Sequence, residues 1–308
     1  MRIFITGASG VIGRRAVPLL VDAGHQVSAV GRSPEKLAAL AKAGADPVTL
    51  DLFDASAVRQ ALAGHDAVIN LATHMPSSMA RMMLPWAWRE NDHVRREGSA
   101  ILVEAAIDAG VTRFVQESFA PAYPDRADAW IDETTPLAPV RYNRSIFDAE
   151  ASAARFAASG GVGVILRFAA FYGPDAFTLR ESADMVRRGW SPLPGSPDAF
   201  VSSISHDDAA SAVVAVLDAP SGIYNVSDDE PVTRQVYATV IADAIGVPAP
   251  RPLPSWATRL LGSIGELGSR SERISNHKLR TATKWWPRFR SVREGLTAAL
   301  KATYDQAA

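Results

Sequence analysis

The chain has 308 residues, 47% hydrophobic and 21% charged, which allows a substantial core and excludes a disordered or fibrous protein. Net charge is −1 and cysteine is absent, so disulfides, thiolate metal sites and a cysteine nucleophile are excluded, and neither nucleic acid nor a membrane is an expected partner. No stretch is apolar for long enough to span a bilayer and no signal peptide is recognisable, so a cytoplasmic protein is expected.

Residues 2–6 read as a short apolar strand running straight into Gly7, Gly10 and Gly13, with an apolar helix over 11–21 and a second strand over 26–30. Strand, glycine turn and helix in this order are the context of a dinucleotide-binding turn: Gly7 for the tight bend, Gly10 for close approach of a pyrophosphate, Gly13 for helix packing. Ser33 and Pro34 open a helix to about residue 43, with Ser33 as its cap. Strands at 47–50 and 67–71 flank a helix at 55–63, and an irregular stretch with Pro76, Pro85, Trp86 and Trp88 leads to a long helix over 91–109. A strand at 113–116, a loop holding Asp125, Asp128 and Asp132, a helix over 144–159 and a strand at 163–167 follow. Beyond Phe168 the pattern is irregular until a helix over 204–217 and a strand at 222–226; the remainder is helices separated by a proline-rich segment at 247–254. The alternation predicts an α/β protein: a Rossmann-type doubly wound parallel sheet with a smaller mixed C-terminal cap. The expected division is a nucleotide-binding domain over 1–167, with 206–228 returning to it, and a substrate-binding cap over 168–205 and 229–308.

With these residues in place, the chain resembles the extended short-chain dehydrogenase/reductase superfamily, the group that includes NAD-dependent epimerases and dehydratases. The resemblance is carried by residues 6–13, Asp51, Asn70-Leu71-Ala72, Gly98, Arg167, Tyr172-Gly173-Pro174, His206-Asp207-Asp208, residues 222–226, Ser275-Asn276 and Trp285-Trp286-Pro287, and covers nearly the whole length. It implies that Gly7, Ser9, Gly10, Val11, Ile12 and Gly13 surround the pyrophosphate, and that Asp51 and Leu52 lie near the adenine. Ala72, flanked by Leu71 and Thr73, falls beside the nicotinamide ribose. Arg32 falls where such proteins contact the adenine ribose, and an arginine there suits a 2′-phosphate, so NADP is expected over NAD.

Members that transfer hydride generally carry a Ser or Thr, a Tyr, and a Lys four residues after the Tyr. The cation one helical turn on lowers the phenol's pKa. Here Tyr142 is followed by Ile146 in the lysine position, Phe119 stands in the hydroxyl position with Ser118 one residue earlier, and Ala170 stands where an asparagine is often found. Tyr142 is the leading acid/base candidate, with packing at the helix start as the alternative. Ser118 is a candidate hydrogen-bonding group or a loop support, and Glu117 a candidate base or substrate contact, or half of a salt bridge. His74 is a further possible proton donor; His206 reads as a helix start, and no histidine spacing suggests a metal. Met75, Met79, Met82, Met83, Trp86 and Trp88 either line an apolar pocket or pack a long loop, and the basic run 270–290 reads as a solvated cap surface. The expected function is an NADP-dependent oxidoreductase or epimerase acting on a small carbonyl, alcohol or sugar-like substrate. The alternatives are a non-redox NADP(H) sensor or scaffold and a redox-neutral isomerase or lyase in the same pocket. Pairing into a homodimer through the helices after the fourth and fifth strands is compatible with the sequence.

Overall fold

In the computed structural model, which describes residues 1–254, 256 and 260–305, seven parallel strands form one sheet. They are β1 (Arg2–Thr6), β2 (Gln26–Val30), β3 (Asp46–Val48), β4 (Ala67–Asn70), β5 (Arg113–Phe119), β7 (Val162–Phe168) and β11 (Gly222–Val226), in the spatial order β3-β2-β1-β4-β5-β7-β11. The order reverses between β1 and β4, and the crevice beyond the strand ends at such a point is where ligands bind in open α/β sheets. Alternation along β1 explains the layering: Ile3 and Ile5 face one core with α1 (Gly13–Asp22) and α9 (His206–Ala215), while Phe4 faces the other with α6 (Ser99–Asp108) and α7 (Ile146–Ala158). The expected Rossmann-type doubly wound sheet is therefore the observed fold.

A third apolar cluster joins Tyr172, Leu179, Ile241 and Leu296, outside the main sheet, from α8 (Phe177–Arg187), α10 (Arg234–Ile245) and the helix Val292–Asp305. Three short strand pairs hold this part together, among them β10 (Ser203–Ser205) with β8 (Ala170–Tyr172) and β13 (Arg273–Ile274) with β6 (Trp130–Ile131). Residues 255, 257–259 and 306–308 of the expected cap lie outside the described residues.

Several boundaries shift by a residue or two from the sequence expectation, and three of the differences bear on the site or the layers around it. β5 runs to Phe119, because its pairing with β7 continues through Glu117↔Leu166, Ser118↔Arg167 and Phe119↔Phe168; Glu117 and Ser118 thus lie in the strand and not beyond it. Ile204 is in β10 and the helix begins at His206, capped by the Ser205 hydroxyl accepting from the Asp208 amide. The long helix before β5 is interrupted: α5 (Arg89–His93) passes into a π-helical turn, Val94–Gly98, before α6. Hydrophobic periodicity cannot register one extra residue in a turn. The helix face considered for dimerisation is largely used internally, with Leu102, Val103, Ala105 and Ala106 buried and α6 packed on α7 and α3 (Ala55–Ala61).

Candidate functional site

The glycine turn is tight for steric reasons. Gly7 has φ 66°, and a Cβ on it would overlap the Leu71 carbonyl at the end of β4; a Cβ on Gly13 would overlap the Gly7 carbonyl and the Ala8 backbone. The Gly10 amide donates to the Gly7 carbonyl at 2.9 Å, closing the bend. Helices α2 (Pro34–Lys42), α3, α9 and α10 each have a side-chain cap, from Ser33, Asp54, Ser205 and Thr233, whereas α1 has none and no acidic residue in its first turn. Its N-terminal amides sit behind the exposed Gly10 and Val11, next to the half-buried Ser9 and the buried Ile12, so this cradle fits a pyrophosphate.

Beside it, a polar row runs from the last residues of β1 and β4 into β5. The Thr6 hydroxyl donates to Asn70 Oδ1 at 2.6 Å and Asn70 Nδ2 donates to Gln116 Oε1 at 2.9 Å and to Ser99 Oγ at 3.2 Å. Asn70 Oδ1 also accepts from the Ala72 amide at 3.3 Å, fixing the bend in which Leu71 is buried and Ala72 and Thr73 are partly exposed. At the other end of the groove Arg32 follows β2, exposed and with no hydrogen bond or ion pair to any described residue. Asp51 is exposed, its Oδ1 accepting from the Phe53 amide at 3.0 Å, and Leu52 is half-buried.

The tyrosine side of the crevice is built from α5, the π turn and β5. The Tyr142 ring packs on Trp88 at 4.5 Å between centroids. Burial, reinforced by Glu272, pushes its phenol pKa above the ordinary value, and Arg95 and Arg270 offset only part of this. Ile146 is fully buried, so no cation occupies the position one turn on. Arg95, on the π turn, donates through Nη2 to Glu117 Oε1 at 2.7 Å. Ser118 points elsewhere: its hydroxyl donates to Glu150 Oε1 at 2.6 Å, inside a buried network in which Arg167 grips Glu150 and donates to the Tyr123 hydroxyl, which donates to Asn225. Glu117 and Tyr142 thus share one neighbourhood with Arg95, and Ser118 belongs to another. Arg95 was not singled out in the sequence, since nothing in a helical pattern marks which of Arg95 and Arg96 turns inward.

His74 is exposed, with its amide donating to Asn91 Oδ1 at 2.9 Å. Among the described residues no group of three His, Asp or Glu side chains could hold a metal ion, and no helix is long and apolar enough to cross a membrane. Much of the basic run is engaged with the protein and is not a solvated surface: Arg270 donates to the Tyr123 and Ala138 carbonyls, Arg280 and Arg290 pair with Asp229, and the Arg273 guanidinium lies over Trp130 and Phe200.

The model of a family described as NAD(P)H-binding matches residues 7–220. The chain belongs to that family. Over 96% of its length it is 34% identical to the 3-diazoavenalumate denitrifying reductase of a Streptomyces species, and it covers 99% of that protein. It is 27% identical to a 4-hydroxy-2-methyl-3-oxo-4-farnesyl-3,4-dihydroquinoline-1-oxide ketoreductase of Stigmatella aurantiaca, over 86% of this chain and 80% of that one. Among solved structures it superposes on a dTDP-glucose 4,6-dehydratase from Streptomyces venezuelae with NAD bound, at a TM-score of 0.79 and 21% identity, covering 99% of this chain and 97% of that one. The fold of this NAD(P)H-binding protein is thus the epimerase/dehydratase fold that the sequence resembles.

Proposed function

We propose that the chain is an NADP(H)-dependent reductase of a small-molecule acceptor, working in the direction of reduction, in which the protein is not required to take a proton. The carrying observation is Tyr142 with Ile146: a phenol held above its ordinary pKa, beside an apolar side chain where a cation would favour the phenolate. Such a phenol can donate to an atom on which negative charge develops. It is a poor base for an alcohol, and dehydrogenation and oxidative epimerisation both need one. When bound, the reduced nicotinamide supplies the hydride. Gly7 to Gly13 hold the pyrophosphate, Asp51 and Leu52 the adenine, and Leu71, Ala72 and Thr73 the nicotinamide ribose. The exposed Arg32, without a partner among the described residues, supports NADP over NAD, because its planar fork suits a 2′-phosphate.

The full-length similarity to a denitrifying reductase of a diazo compound supports one acceptor class. A diazonium, R–N2+, that takes up a hydride becomes R–H and releases N2, with no proton to place, and a site without the lysine can accommodate that. Carbonyl reduction is the second reading, favoured by the ketoreductase similarity and by Tyr142 as proton donor. The test is NADPH oxidation with an aryldiazonium salt and with a ketone panel, in wild type and Tyr142→Phe. Diazonium reduction releases one N2 per NADPH and survives Tyr142→Phe within about tenfold; carbonyl reduction falls by about 10²–10⁴. Tight NADPH binding with no oxidation by either class would sink the reductase reading in favour of a non-redox sensor.

A further inference from the structure

Two buried arginine–carboxylate pairs stand on neighbouring strands and are built differently. Arg167 meets Glu150 fork to fork, Nε to Oε1 at 2.8 Å and Nη2 to Oε2 at 2.7 Å. Ser118 and Tyr123 occupy further positions around that pair. Arg95 and Glu117 are as deeply sequestered, at 4% and 8% exposed, yet they meet through one bond, Nη2 to Oε1 at 2.7 Å. Arg95 Nε and Glu117 Oε2, the two atoms that would close the fork, are buried and unpartnered, as is Nδ2 of Asn91, one turn earlier in the same helical stretch. Leaving such atoms unmatched is costly, and more so for charged groups. The π turn that carries Arg95 is a local departure of a kind that recurs at functional sites. Trp88, Asn91 and Arg95, at helical spacing and all buried, run along one face, and Trp88 packs on Tyr142.

We infer that the open half of the Arg95–Glu117 pair is a subsite for a hydroxyl group of the acceptor substrate. The chemistry selects the class. The pair is neutral as a whole, so a free carboxylate or ammonium finds no net countercharge. The open half offers the Arg95 Nε–H as donor and Glu117 Oε2 as acceptor, and a guest that satisfies both must accept one hydrogen bond and donate another. A hydroxyl does both through one atom, whereas a ketone or an ether can only accept. Trp88, on the same buried face as Arg95, packs on the Tyr142 ring at 4.5 Å, so the fork stands on the tyrosine side of the crevice. The subsite rests on the reductase reading for its role, but its occupancy can be measured without turnover.

The experiment is calorimetric titration of the protein saturated with NADP+, using para-hydroxybenzaldehyde against para-methoxybenzaldehyde, and methyl glucoside against its permethylated ether. The expected result is that one hydroxylated member binds about tenfold to a hundredfold tighter than its ether. The aromatic and sugar arms distinguish the source of the hydroxyl. Arg95→Met combined with Glu117→Leu keeps the pair neutral while removing both donor and acceptor, and should bring the ratio to about one. Arg95→Lys, which keeps the charge but lacks Nε, should also reduce it, and it serves if the double variant does not fold. Equal binding or no binding by wild type in both arms overturns the subsite, and so does a ratio that persists in a folded variant. A clear hydroxyl preference without NADPH oxidation would leave the subsite standing and remove the reductase reading alone.

Discussion

Tyr142, Ile146 and Arg32 carry most of what distinguishes this chain at the scale of single residues. Ile146 has no exposed surface, so the lysine it replaces has no solvated slot to return to; burying an ammonium there would oppose the packing of α7. Arg32 gives the sharpest prediction. If it grips a 2′-phosphate, Arg32→Ala should weaken NADPH binding about tenfold to a hundredfold and leave NADH binding unchanged, as read by calorimetry. Equal loss for both nucleotides would mean that the side chain shapes the loop and reads no phosphate. Asp228 gives a stability prediction. It is 2% exposed with both carboxylate oxygens unpartnered, and burial, with Asp229 and Glu230 nearby, raises its pKa well above the usual carboxylate value. The folded state therefore holds the proton longer than the unfolded one. The contribution is fully present below the unfolded value of 3.8 and is lost as pH rises from there through the raised folded value. Asp228→Asn should accordingly raise the unfolding midpoint at pH 7, and the gain should vanish in acid; a lower midpoint at pH 7 would show that the charged form is stabilised.

At the scale of elements, the glycine turn and the π turn can be separated by two alanine substitutions. Gly13 lies in α1, where an L-residue meets no backbone strain, so its requirement is purely one of close approach. Gly13→Ala should push α1 off the turn, lower the unfolding midpoint and abolish nucleotide binding. Gly98 closes the π turn, and a Cβ added there would meet its nearest neighbours, in Phe53 and Leu52, at 3.9 and 4.0 Å, which is ordinary contact distance. Gly98→Ala should then leave stability unchanged or raise it by up to about 1 kcal/mol, the usual helix gain. Thermal unfolding of both variants checks the pair, and similar losses in both would mean that the π turn is as intolerant as the nucleotide turn. The Ser33 cap was legible because Ser33 precedes a Pro-Glu-Lys opening; the π turn was not, because hydrophobic periodicity does not register one extra residue in a turn.

Across the whole molecule, charges tie the glycine-turn helix to the C-terminal part. Asp175 accepts from Arg14, from Arg15 and from His206 Nδ1, the last at 2.8 Å, while Arg15 also pairs with Asp207 at 2.6 Å. Burial, with Arg15 and Arg14 nearby, depresses the His206 pKa from 6.5 to about 4, so the ring is neutral at pH 7. A histidine depressed in the folded state contributes stability that is complete above 6.5 and is lost as pH falls toward 4, a change of about 3 kcal/mol. Denaturant unfolding across this window should show the loss in wild type and a flatter profile in His206→Gln. An unchanged slope in the variant would assign the acid limb to other groups.

The amino-acid sequence by itself determined the sheet and the nucleotide turn, since strand periodicity, glycine placement and helix signals act within a few residues of one another, and Arg2–Thr6 into Gly7-x-x-Gly10-x-x-Gly13 leaves little freedom. It also exposed the missing lysine, which is a matter of spacing alone. The tertiary structure decided what β5 does beyond Gln116: pairing with β7 carried Glu117 and Ser118 into the sheet, and alternation then sent Ser118 to Glu150 and Glu117 to Arg95. Those partners lie 32 and 22 residues away along the chain, and only packing across strands brings them into contact.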